Sequence, residues 1–156
     1  MQTRGPILVV DTVASKVPVI SGSSATRVLN ELESGSVVLF DRPTGITYTL
    51  PIAKPGINFE FVTSQTITLG LAKVIADIST NSPVIIGNMT QVTDIGASPV
   101  TFIANGSTHI AIASNGTTTG GQIGSRYRVV ALSAGTWFVT GLQRGTGVFA
   151  TPFSTT

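Results

Sequence analysis

The stretch "ITYTLPIAKPGINFEFV", residues 46–62, constrains the fold more than any other. Ile46, Tyr48 and Leu50 alternate with Thr47 and Thr49, and Ile57, Phe59 and Phe61 alternate with Asn58 and Glu60. A period of two puts every second side chain on the same face, the pattern of a strand with one face buried. Between the runs, Pro51, Pro55 and Gly56 stiffen and turn the chain, so "PIAKPG" reads as a corner. The same grammar predicts further strands at 36–41, 65–69, 71–77, 83–87, 100–104, 108–113, 126–132 and 136–142. Most of the breaks carry Gly, Pro, Asn or Asp. "NG" at 105–106 and at 115–116 is a hairpin-turn signal. Many short strands joined by such turns predict an all-β single domain, a sandwich or barrel.

One stretch reads differently. In "TRVLNELESG", residues 26–35, Val28, Leu29 and Leu32 fit helical spacing and Gly35 stands where a helix would end. A strand closing in an "ESG" turn fits the same residues. Residues 1–25 read as an N-terminal arm with two apolar patches, Ile7–Val10 and Val17–Ile20. Residues 26–145 form the domain, and 146–156 a C-terminal tail tipped by Phe149 and Phe153.

Only 10% of the 156 residues are charged, against about 25% in an ordinary soluble domain. Hydrophobic residues make up 42%, yet no apolar run approaches the roughly 18 residues of a membrane helix. A charge-poor surface fits coverage by a partner, because interface cores are depleted in charge. Nine basic against seven acidic residues leave a net +2, and the basic residues are scattered. Arg126 and Arg128 would share an exposed strand face, too sparse a pattern for a nucleic-acid stripe. No nucleic-acid or membrane partner is therefore expected. The start of the chain has no long apolar region, so a cleavable signal peptide is not expected either.

Candidate chemistry is thin. The chain has no cysteine, which removes disulfides, thiolate catalysis and Cys-based metal sites. The single histidine, His109, has no second histidine with which to build a metal site. It reads as a surface or interface residue on the parity of Ala111 and Ala113. Glu31 and Glu33 flank a turn, and no aromatic-rich pattern accompanies them. The Asn-x-Ser/Thr triplets at Asn88, Asn105 and Asn115 read as chance in a chain rich in Ser and Thr. No catalytic, cofactor-binding or metal-ligating residue is assigned, and the chain is not expected to be an enzyme. Tyr48, Leu50, Phe59, Phe61, Tyr127 and Trp137 are assigned to the core from their place in the alternation.

The run "ESGSVVLFDRPTGITYTLPIAKPGINFEFVT" and the later "GSRYRVVALSAGTWFVTG" together resemble small virion proteins of tailed bacteriophages. The resemblance covers residues 27–63 and 124–142, and is to head decoration, or cement, proteins. It implies a β-sandwich of jelly-roll type and a homotrimer. It also implies attachment to the major capsid protein on the outside of a head, after synthesis in the host cytoplasm. On that basis Arg4, Ile7, Leu8, Val9, Val10, Phe149 and Phe153 are the expected capsid or subunit contacts. A tail or tail-fibre component is the alternative, and a carbohydrate-binding module a more distant one.

Overall fold

The computed structural model describes residues 16–156. Two mixed β-sheets pack face to face around one core, an all-β sandwich. The first half winds between the sheets. Strands β1 (Val19–Ile20), β3 (Val37–Phe40) and β5 (Asn58–Thr63) lie in the larger sheet. Strands β2 (Thr26–Val28), β4 (Ile46–Thr49) and β6 (Ala72–Ile75) lie in the smaller one. β3 is parallel to both β1 and β5, and β4 is parallel to both β2 and β6. The chain therefore rises one strand spacing in each sheet with every coil.

The second half closes both sheets. β7 (Val84–Val92) returns to the larger sheet and forms an antiparallel pair with β8 (Val100–Asn105). β9 (Ala111–Ser114) joins β6 in the smaller sheet. β10 (Arg126–Ser133) and β11 (Thr136–Arg144) form a tight hairpin inserted between β5 and β7. β12 (Phe153–Ser154) adds to β9. The orders are β1-β3-β5-β10-β11-β7-β8 and β12-β9-β6-β4-β2. A jelly roll is an antiparallel architecture; the parallel ladders of the first half give a coiled connectivity instead.

Alternation fills the core. β5 buries Phe59, Phe61 and Thr63 and turns Asn58, Glu60 and Val62 outward. Phe61 is the hub of an aromatic cluster, with ring centroids 5.4 Å from Tyr127, 5.8 Å from Phe40 and 5.9 Å from Tyr48. These rings come from both sheets, so the cluster ties the two layers together. The six residues assigned to the core from sequence are each at most 3% exposed. Pro51–Gly56 is a corner that carries the chain from β4 in one sheet to β5 in the other. The coils also touch through backbone. Gly45 and Gly70 both have positive φ, and a Cβ on either would strike the backbone of the opposite turn, at Leu71 or Thr44. Only glycine allows that approach.

Several expectations are corrected. Residues 65–69, predicted as a strand, form a loop. The N–H groups of Thr68 and Leu69 donate to the Pro43 carbonyl at 2.8 and 3.0 Å, and that of Ile67 to Gly121 at 3.0 Å. Ile67 is buried, so the alternation there marks a packed loop rather than a ladder. Residues 26–35 are neither one helix nor one strand. β2 ends at Val28, and a 3-10 turn follows at Glu31–Glu33, with Asn30 and Glu33 forming a capping box. Val28 and Leu32 are exposed while Leu29 is buried, so the three do not share a helical face. Neither "NG" pair makes a hairpin. Asn105 lies at the end of β8, whose successor β9 belongs to the other sheet, and Asn115 opens the loop after β9. In both places the asparagine side chain organises the turn. Asn105 Oδ1 accepts from the N–H groups of Ser107, Thr108 and His109 at 3.0–3.1 Å.

Candidate functional site

The outward face of the larger sheet is the widest continuous surface that the ladders create. One cross-strand row runs over all seven strands: Val19, Val37, Glu60, Arg128, Thr140, Asn88 and Ile103. A second joins Leu39, Val62, Arg126, Leu142, Thr90 and Thr101. A third joins Asn58, Val130, Phe138, Ile86 and Asn105. The face thus mixes aliphatic side chains with hydroxyls, amides and three charges. Its centre is a shallow groove of about 590 Å³ lined by Asn88, Thr90, Arg126, Arg128, Thr140 and Leu142.

Local pairing consumes much of the charge there. Arg126 Nε is ion-paired with Glu60, and Arg128 donates to Asn58 Oδ1 at 3.1 Å. Exposed pairs of this kind contribute little to stability, on the order of 0–1 kcal/mol. They orient the guanidinium groups along the sheet. The face is suited to contact by burial with a few fixed hydrogen bonds.

Beneath it, Tyr127 points inward. Burial raises its phenol far above the ordinary range. Tyr48, which donates to the Leu39 carbonyl at 2.8 Å, is pushed up to about 12, by burial first and by the charge of Asp41 second. Both hydroxyls are packing elements held neutral.

The two ends of the larger sheet differ. β1 is two residues long. β8 is six residues long, carries no charged residue, and has no described strand on its outer side. Ile103 on it is 75% exposed. Such an edge is a template for another strand.

A second groove lies at the β2 edge of the smaller sheet, lined by Val28, Glu31, Pro51, Ile52, Lys54 and Asp77. Glu31 is ion-paired with Lys54 across it. Asp77 accepts from the Ser79 N–H at 2.7 Å, and hydrogen bonds from Ser79 lower its pKa. Glu33, the other half of the carboxylate pair in the sequence, is bound to Arg27 at 2.6 Å and caps the 3-10 turn. Glu31 and Glu33 are therefore tied to different partners.

His109 is a latch. Its Nδ1 accepts from the Asn105 N–H at 3.0 Å, and its ring stacks on Phe153 with centroids 5.7 Å apart. Its expected parity with Ala111 and Ala113 does not describe the site, because Ala111 and Ile112 are both buried. Phe153, an expected contact, is 4% exposed and packs in this chain's own core. Phe149 is half-buried. Arg4, Ile7, Leu8, Val9 and Val10 lie outside the described residues. Among the described residues, no group of three or more His, Cys, Asp or Glu side chains could hold a metal ion. No described helix is long and apolar enough to cross a membrane.

The β8 edge escaped the sequence reading. "VTFIA", residues 100–104, is legible as a strand, but its place at the end of the sheet depends on the other strands. No family model matches the chain, and no curated protein or solved structure is significantly similar to it.

Proposed function

We propose that this protein is a non-enzymatic structural component of a viral particle. It self-associates and decorates the outside of a phage head as a trimer, bridging subunits of the major capsid protein. The observation that carries the reading is the outer face of the larger sheet. It is broad, poor in charge and studded with exposed aliphatic side chains such as Val19, Leu142 and Ile103. Exposed apolar patches of this kind mark protein contact surfaces. The resemblance of residues 27–63 and 124–142 to decoration proteins supports a phage head as the particle.

Multiple weak contacts suit that role. Once one copy of a trimer engages, the other contacts become intramolecular, and avidity exceeds any single affinity. The test is quantitative mass spectrometry of purified particles of the virus that encodes the chain. A copy number close to that of the shell protein is expected. A few copies per particle would instead favour a tail or fibre component, and absence from the particle would overturn the reading.

A further inference from the structure

We infer that residues 6–10 of one copy, Pro-Ile-Leu-Val-Val, add as an extra strand to the outer edge of β8, unpaired among the described residues, in a second copy. The inference takes its self-association from the reading above and names the residues that make it.

The acceptor is unusually bare. Edge strands are ordinarily blunted by charge, proline, a bulge or brevity. β8 runs for six residues, Val-Thr-Phe-Ile-Ala-Asn, with no charge and no proline, and its ladder to β7 is unbroken. Its last residue is already engaged, because the Asn105 N–H donates to His109 Nδ1. That leaves Val100–Ala104, long enough for a five-residue partner. Beside it stand the exposed side chains of Val100 and Ile103. The donor has matching character: four consecutive β-prone aliphatic residues without charge. In strand addition, main-chain hydrogen bonds supply affinity, and alternate side chains supply specificity.

Reach favours a donor from a different copy. The donor segment joins the described chain at β1, the opposite edge of the same sheet from β8. A strand laid outside β8 lies seven strand spacings from β1, about 34 Å across the sheet at ~4.8 Å each. Val10 is nine residues from Val19, which spans at most about 32 Å when fully extended. Pairing with its own β8 would need residues 10–19 pulled to full extension straight across the sheet, whereas a neighbour's edge has no such limit. Its own β1 edge is in reach but offers a ladder only two residues long. Donation from one edge to the opposite edge of the next copy is a head-to-tail contact. Repeated with a closing rotation, such a contact forms a ring.

The absence of native cysteine makes a cross-linking test clean. Val9→Cys and Thr101→Cys proteins are mixed and oxidised. A disulfide-linked pair containing one of each is expected. Light scattering on a chain lacking residues 1–15 should show the oligomer reduced to monomer, with the β-type circular dichroism retained. If the deletion unfolds the protein, Ile103→Lys in the full chain serves instead, with the same loss of oligomer expected. A truncated chain that keeps the full oligomer overturns the exchange while leaving self-association intact. Cross-linking of Val9→Cys to Val19→Cys within one chain, with none between copies, overturns it as well. A full-length chain that is monomeric at all concentrations removes both the exchange and the self-association.

Discussion

Tyr48 and Tyr127 hold their protons chiefly because folding has taken both phenols out of water. An ionised phenolate would lose its hydration, and at Tyr48 the nearby Asp41 charge adds to that cost by more than Arg27 relieves it, so the neutral form is favoured. For Tyr48 the folded value is about 12, above the ordinary 10.0. A raised folded pKa contributes stability that is fully present below pH 10 and lost as the pH rises from 10 through 12. Tyr127 acts in the same direction. These are the only two tyrosines in the chain. The tyrosinate absorbance is therefore expected to appear together with loss of the β circular-dichroism signal. A smooth titration near pH 10 with the fold intact would contradict this. Trp137 is fully buried in the larger sheet, so Trp137→Ala should cost about 3–5 kcal/mol in urea unfolding. Gly45→Ala should also destabilise strongly. Its positive φ and the Leu71 backbone leave no room for a methyl group, and the loss should exceed the ~1 kcal/mol of a simple conformational change.

At the scale of elements, the C-terminal strand shows how a short segment is held. β12 has only two residues, too few to stand by its ladder alone. It is secured by the burial of Phe153, by the stacking of His109 and by a hydrogen bond from Gln91 Nε2 to the Ala150 carbonyl at 2.9 Å. Gln91 Oε1 has no hydrogen-bond partner in the buried interior. Gln91→Leu removes that unpaired atom along with the tether, so its effects on global stability nearly offset. The expected result is faster amide hydrogen exchange in residues 150–154, with an overall change below about 1.5 kcal/mol. Exchange at an unchanged rate would show that Phe153 alone anchors the strand. The loop at 65–69 carries the converse lesson. Ile67 and Leu69 alternate with Thr66 and Thr68 as they would in a strand, but the N–H groups there are taken by turn carbonyls of neighbouring coils. Ile67 is buried but Leu69 is 71% exposed, so a short alternating run fixes neither a ladder partner nor a buried face by itself.

For the whole molecule, the relevant quantity is the balance between apolar contact and charge. Only four ion pairs occur among the described residues; on the larger sheet Glu60 pairs with Arg126, Arg144 with Asp94, and Arg128 is hydrogen-bonded to Asn58. Association through such a surface rests on burial, which salt does not screen. The protein is therefore expected to give a multimeric mass by light scattering at micromolar concentration, and the same mass at 50 mM and 1 M NaCl, spanning Debye lengths of roughly 14 to 3 Å. Dissociation at high salt would point to a charged interface, away from the aliphatic rows of the larger sheet.

Short-range order was written in the residues. The alternation of Tyr48 and Leu50, of Phe59 and Phe61, and of Tyr127 and Val129 determined the strands and their buried faces, because side-chain period and backbone pleat are the same local geometry. Pro51, Pro55 and Gly56 likewise determined a corner. The neighbours of each strand were decided only by the tertiary structure. The parallel ladders of the first half join strands some 20 residues apart, and the β10–β11 hairpin enters between β5 and β7. Pairing at such distances depends on how the whole core closes, and strand sequences of similar aliphatic character do not specify it. For the same reason, only the assembled sheet leaves β8 at an edge, brings His109 onto Phe153, and spreads aliphatic side chains from seven strands over one face.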